Sequence, residues 1–223
     1  MTTRILAVDT STAWGGAALL ESGEGELRLV AEVGLSVEGS LAARLLPVVD
    51  LVFSAAGWER SSIDLYAAAK GPGSFTGIRV GLGLLAGWAL ASGKPCVGVG
   101  TLDAVAEAYG PAEAERLPLL PAGRGNVYRA RFDAASSPPR LLAGPWAGPL
   151  AEALAGEGAG VVIVPRALPV PDVPGGLRIA PAPTSIAAGV ARLAAHRLLA
   201  GITAADAPVP VYVRPSYAEA SSS

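Results

Sequence analysis

Apolar residues run in short blocks over the first third of the chain, and the blocks predict three strands. Ile5–Asp9 is the first, Gly15–Leu20 the second and Leu27–Leu35 the third. Only the turn-prone segments Thr10–Trp14 and Glu21–Gly25 separate them, so the three form an antiparallel meander. The period then changes. Leu41, Leu45, Val48, Val49, Val52 and Phe53 recur at helical spacing and predict a helix from Ser40 to Ala56, with Pro47 set to kink or restart it. Asp64–Ala69 reads as a buried strand, Phe75–Ser92 as a helix stopped by Gly93, Cys96–Val99 as a strand and Leu102–Tyr109 as a short helix. The order β-β-β-α-β-α-β indicates α/β architecture.

The second half is less regular. Leu117–Leu120, Asn126–Phe132, Val161–Val164 and Leu177–Ala180 are strand candidates, and Leu150–Ala155 is a short helix. Pro165–Pro183 is Pro-rich and reads as a surface loop. A helix opens at Thr184 or Ser185, carries Ile186, Val190 and Leu193 on one face and ends at Gly201; Glu219–Ser223 reads as disordered. A break near Ala104–Gly110 divides the chain into 1–104 and a smaller 105–223, and helix 185–200 is placed to pack back on the first unit.

The densest local signal is Gly71-Pro72-Gly73-Ser74-Phe75-Thr76-Gly77-Ile78-Arg79-Val80-Gly81, a constrained loop opening a helix. Such a junction either holds an anion on backbone N–H groups or fixes the angle of a docking helix. It is not a Walker A loop, because Ile78-Arg79 stands where Lys-Ser/Thr is required. Ser74 or Thr76 serves equally well as a simple N-cap. At about 100° per residue, Gly77 and Gly81 share one face, and Gly83 and Gly87 share another. Each glycine costs ~1 kcal/mol relative to alanine in a helix, so close approach of another backbone is expected. The helix is apolar nearly all round, with Arg79 its one charge. Either one face meets the sheet and another a second protein, or neighbouring helices of the same chain cover it.

Composition narrows the function classes. Half of the 223 residues are apolar and the net charge is −2 with no basic run, which argues against autonomous nucleic-acid binding. Positive charge is almost all Arg; Lys70 and Lys94 are the only lysines. The only cysteine, Cys96, lies in an apolar run and reads as a buried structural residue. Met1–Ile5 does not read as a signal peptide, so the cytoplasm is the expected compartment; the apolar run Val80–Ala91 is about 12 residues, short of the ~20 that a membrane span needs. His196 is the sole histidine, which excludes a His-Glu-x-x-His zinc site and leaves a Ser-His-Asp triad only an ill-placed base. Asp9, at a strand end before Thr10-Ser11-Thr12, either holds Mg²⁺ or orients water, or closes an Asx-turn; Asp103 reads as a helix cap. Asp9, Thr10, Ser11, Gly73 and Ser74 are the candidates for a nucleotide site, which a phosphotransferase or ATPase would build from Asp9 and the Gly71–Gly77 loop.

In order along the chain, Ile5–Ser11, Leu45-Leu46-Pro47, Gly71–Gly81, Gly100-Thr101-Leu102, Asn126-Val127-Tyr128 and Tyr212-Val213-Arg214 resemble the TsaB (YeaZ) family, most specifically through Phe75-Thr76-Gly77-Ile78-Arg79. The resemblance implies an actin/Hsp70/sugar-kinase-like fold of two related α/β halves. It implies work in making threonylcarbamoyladenosine beside the anticodon of tRNAs that read A-starting codons. In that family the catalytic paralogue TsaD holds nucleotide and metal, the ATPase TsaE joins, and TsaC makes the activated intermediate. The resemblance further implies a non-catalytic partner that docks TsaD through its first helices, meets tRNA only through the complex, and forms a homodimer when alone. The docking residues expected on that basis are Leu41, Leu45, Val49 and Val52 from one helix and Ile78, Leu82 and Leu85 from the other, with Arg79 at the seam. The chain departs from the family at Gly39-Ser40 and at Pro121-Ala122-Gly123, both of which remove polar groups from the inter-domain cleft.

Overall fold

The computed structural model describes residues 2–36, 44–110, 114–165, 168–170, 173, 175–201 and 208–213. The first sheet is built from β1 (Thr3–Asp9), β2 (Trp14–Gly23), β3 (Glu26–Ser36), β4 (Leu65–Ala69) and β5 (Cys96–Val99), in the order β3-β2-β1-β4-β5. Tight turns make β1–β2 and β2–β3 antiparallel. The helical crossovers α1 (Leu45–Ala56) and α2 (Phe75–Ser92) return the chain so that β4 and β5 run parallel to β1. Helix α1 starts at Leu45, and Pro47 lies in its first turn, where its missing N–H removes no intrahelical bond. The N-terminal part of the expected helix, Leu41 included, and Gly39-Ser40 lie outside the described residues. Gly93 ends α2 in the left-handed conformation at φ 67°, as the sequence predicts.

After α3 (Thr101–Ala108) comes a second sheet: β6 (Arg116–Gly123), β7 (Asn126–Asp133), β8 (Arg140–Pro149), β9 (Gly160–Val164) and β10 (Leu177–Pro181), ordered β10-β9-β6-β7-β8, with α4 (Leu150–Ala153) between β8 and β9. Three antiparallel strands followed by two parallel ones repeat the pattern of the first sheet, and the strand order is the same. The protein is thus two related α/β halves. Strand β8 is the element that the sequence does not announce: Pro145, Pro149 and two glycines interrupt its pattern, and proline is tolerated there because β8 is an edge strand.

The layers follow from the alternating faces of β1. Leu6 and Val8 point into a core closed by α1 and α2 through Val49, Val52, Ile78 and Leu85. Ile5 and Ala7 point the other way, into a core shared with α3, with α5 (Ala187–Leu199), and with Leu120 and Phe132 of the second sheet. Helix α5 therefore packs back on the first half. Its Gly189 lies against the Ala104 carbonyl, where a Cβ would overlap the α3 backbone.

Candidate functional site

The β1–β2 turn and the glycine loop form one joint at the carboxyl ends of β1 and β4. Ser74 N–H donates to the Ser11 carbonyl at 2.6 Å, and Thr10 Oγ1 donates to the Gly77 carbonyl at 2.6 Å. A Cβ at Gly77 would overlap the Thr10 carbonyl oxygen; one at Gly81 would overlap Thr10 Oγ1, and one at Gly73 the Ser11 carbonyl. Gly71 adopts φ 109°, open to glycine, and lies against the Val211 carbonyl. The structure therefore brings Asp9, Thr10, Ser11, Gly73 and Ser74 together, as the sequence reading requires, but the loop glycines admit protein backbone. Two of the N–H groups at the loop and helix start are taken, Ser74 N–H by the Ser11 carbonyl and Gly77 N–H by the capping Ser74 Oγ, and those of Phe75 and Thr76 in the first turn are not capped. Ser74 is the N-cap of α2.

Asp9 is fully buried. Its Oδ1 accepts from Ser11 N–H at 2.8 Å and from Ser11 Oγ at 2.5 Å, an Asx-turn, while its Oδ2 has no partner. Burial pushes the carboxyl up to about 6, against the two Ser11 hydrogen bonds that favour the charged form. The orphaned oxygen suits a single cation contact. Among the described residues, however, no three His, Cys, Asp or Glu side chains cluster to complete a metal site. Asp103 is not the cap that the sequence predicts: the N-cap of α3 is Gly100, with no side-chain cap, and the Asp103 carboxyl lies inside the first turn, where it takes a hydrogen bond from its own backbone. Burial pushes the Cys96 thiol up to about 11, which leaves it protonated and unreactive. His196 does meet a serine: Nε2 lies 3.2 Å from Ser137 Oγ. That hydroxyl already donates to Glu107 at 2.7 Å, so it can only accept from His196, and the imidazole cannot act as its base.

The docking residues expected from the sequence require correction. Leu45, Val49, Val52, Ile78, Leu82 and Leu85 are all buried between the sheet and its helices, and Leu41 lies outside the described residues. A polar residue at Leu82 would break the core before it touched a partner. The opposite face of α2 is open. Gly83 and Gly87 have nothing within 4 Å of where a Cβ would stand, Thr76 and Arg79 are exposed, and Leu90 is 86% exposed. Leu46 and Leu51 expose the outer side of α1. Among the described residues, neighbouring helices do not cover this face of α2. At 18 residues α2 is longer than the apolar run suggests and is long and apolar enough to cross a membrane, a test that surface and core helices of globular folds also pass; its inner face is packed on the first sheet. Arg79 carries the signal that would have oriented the wheel: the residues around a charge face outward. It stacks on Phe75 at 3.6 Å and donates from Nε to Tyr212 at 3.1 Å, and Tyr212 in turn meets the Phe75 ring at 4.9 Å. Tyr212 lies 133 residues from Arg79, so no local pattern could show the contact.

Comparison with known proteins points one way. The family model for "TsaD: tRNA N6-adenosine threonylcarbamoyltransferase" matches residues 37–161. The Escherichia coli K12 protein named tRNA threonylcarbamoyladenosine biosynthesis protein TsaB is 36% identical over 131 residues, 58% of this chain and 54% of that protein. The Bacillus subtilis 168 protein of the same name is 31% identical over 128 residues, 57% of this chain and 54% of that protein. The chain thus spans about half the length of these curated relatives. Among solved structures, YeaZ from Pseudomonas aeruginosa superposes with a TM-score of 0.74 at 26% identity, over 94% of this chain and 99% of that one.

The joint and the open face respond oppositely to alanine. Gly77→Ala is expected to lower stability by ~1–3 kcal/mol through overpacking, while Gly87→Ala raises it by up to ~1 kcal/mol; chemical denaturation of the two variants tests the pair. For Asp9, the difference between the ordinary 3.8 and about 6 corresponds to ~3 kcal/mol lost as pH rises through that interval. Asp9→Asn is accordingly expected to be more stable than wild type above pH ~6, with the advantage vanishing below pH ~4; thermal melts across pH 3.5–8 would show no such trend if the carboxylate were compensated.

Proposed function

Because the chain belongs to the TsaB (YeaZ) family, we propose that it works in forming threonylcarbamoyladenosine in tRNA as a non-catalytic subunit that docks on the paralogue TsaD. The observation that carries this reading is the outer face of α2. Two glycines weaken the helix there and meet nothing among the described residues, which fits a surface kept flat for close approach by another backbone. Leu90, Val80 and the exposed Leu46 and Leu51 would supply the apolar contact, with Arg79 at its edge. The filled glycine joint supports a role without nucleotide chemistry of its own. A net charge of −2 fits a protein that meets tRNA only within a complex. The same reading includes TsaE and TsaC as the ATPase and the supplier of the activated group, a homodimer through the same face when TsaD is absent, and a cytoplasmic setting. It assigns the docking helices to the first 104 residues.

A second reading, a nucleotide-dependent ATPase or phosphotransferase of the same fold, is favoured by one feature, the buried Asp9 with an unpartnered oxygen. Calorimetry of ATP with the chain alone separates the two. Micromolar binding lost in Asp9→Ala supports the enzyme, and no binding supports the subunit.

Burying a leucine contributes ~1.5–3 kcal/mol, so Leu90→Glu is expected to weaken capture of TsaD at least tenfold with an unchanged melting temperature. Gly87→Arg is expected to do the same by holding the backbones apart. Wild-type co-purification of TsaD with both variants would refute the docking face.

A further inference from the structure

A recess opens between the two halves, beside the glycine loop. It holds about 220 Å³, room for a ligand of few atoms. Its floor is the Lys70–Pro72 turn and the start of α3, its roof is Phe132 of β7 with Leu141 and Pro145 of β8, and Val211 closes one side. Val211 is held there by a backbone hydrogen bond to Lys70 of 2.7 Å and by its carbonyl against Gly71.

Three charged residues line this recess: Lys70, Arg197 and Asp103. Both cations act on the Asp103 carboxyl through space, yet among the described residues neither makes an ion pair with any acid. Each has an anchor at Gly98. The Lys70 stem packs with Pro208 over Gly98, where a Cβ would meet both at 2.8 Å, and Arg197 Nη1 donates to the Gly98 carbonyl. Asp103 is committed to the first turn of α3. The recess is therefore lined by two cationic residues, one partly occupied carboxylate and the apolar Phe132, Leu141 and Pro145. Two positive charges and one negative leave an excess of one, which matches a single anionic group. The walls match an apolar body of few atoms.

We propose that this recess binds a small organic monocarboxylate, its acid group on Lys70 and Arg197 and its apolar part against Phe132, Leu141 and Pro145. The site is separate from the outer face of α2 and does not depend on the docking reading. A neutral ligand of the same shape lacks the charge the cations need, and a phosphate dianion overcompensates it and leaves the apolar wall bare.

Calorimetric titration of the full chain at low salt and pH 7.5 with benzoate, benzamide and inorganic phosphate tests this. The expected result is benzoate binding at least tenfold tighter than benzamide, reduced at least tenfold in Lys70→Met, and tightened severalfold in Asp103→Asn. Leu141→Trp fills the mouth from an exposed edge-strand position and is expected to abolish binding with both cations intact, which keeps the test valid if Lys70→Met fails to fold. Equal binding of benzoate and benzamide, no benzoate binding, benzoate affinity unchanged in Leu141→Trp, or phosphate displacing benzoate in a Lys70-dependent way would each overturn the proposal.

Discussion

The contact between Thr10 and the Gly77–Gly81 face of α2 is the constraint from which the rest of the first half follows. Helix and turn approach so closely that no side chain fits between them. Thr10 uses its one hydroxyl to satisfy the Gly77 carbonyl, and Ser11 uses its carbonyl to satisfy the loop. The helix is thereby fixed in rotation as well as position. Ile78, Leu82 and Leu85 must face the sheet, and Gly83, Gly87 and Leu90 must face away from it. Two donors that would suit a phosphate, Ser74 and Gly77 N–H, are used internally, so the same contact that orients α2 also narrows the loop as an anion cradle.

Much of this was legible in the sequence because it is local. The meander, the capping serine, the stop at Gly93 and the two glycine pairs are written in adjacent residues. The return of the last helix onto the first half was legible from its apolar face. The docking face was misread for a physical reason: on a helix apolar all round, side-chain size does not say which arc the sheet will take. Leu82 and Leu85 went to the core, while Leu90, of the same size, stayed outside with Gly83 and Gly87. Strand β8 was hidden because an edge strand tolerates Pro145 and needs no alternating pattern. The clamp of Tyr212 on Arg79 and the cavity around Lys70 depend on segments far apart in the chain, which no window of residues contains.

Asp9 sits badly with folding considerations alone. An amide would keep the turn to Ser11 and avoid burying a charge. Sequences generally agree with their folds at every level except where chemistry fixes a residue. Asp9 is such an exception in a joint whose other members are all accounted for by packing. That is why the enzymatic reading retains one observation in its favour while the subunit reading has the surface.

Helix α5 completes the core beneath Ile5, Ala7 and Leu20 with Val190, Ala191 and Ala194, residues from the far end of the chain. During synthesis at ~5–20 residues per second, that face of the first sheet stays bare for on the order of 10–40 s after β1 and β2 leave the ribosome. Two strands rich in small apolar residues are then open to non-native pairing. The first half is a folding unit in its connectivity but not in its timing, and its maturation belongs to the whole chain.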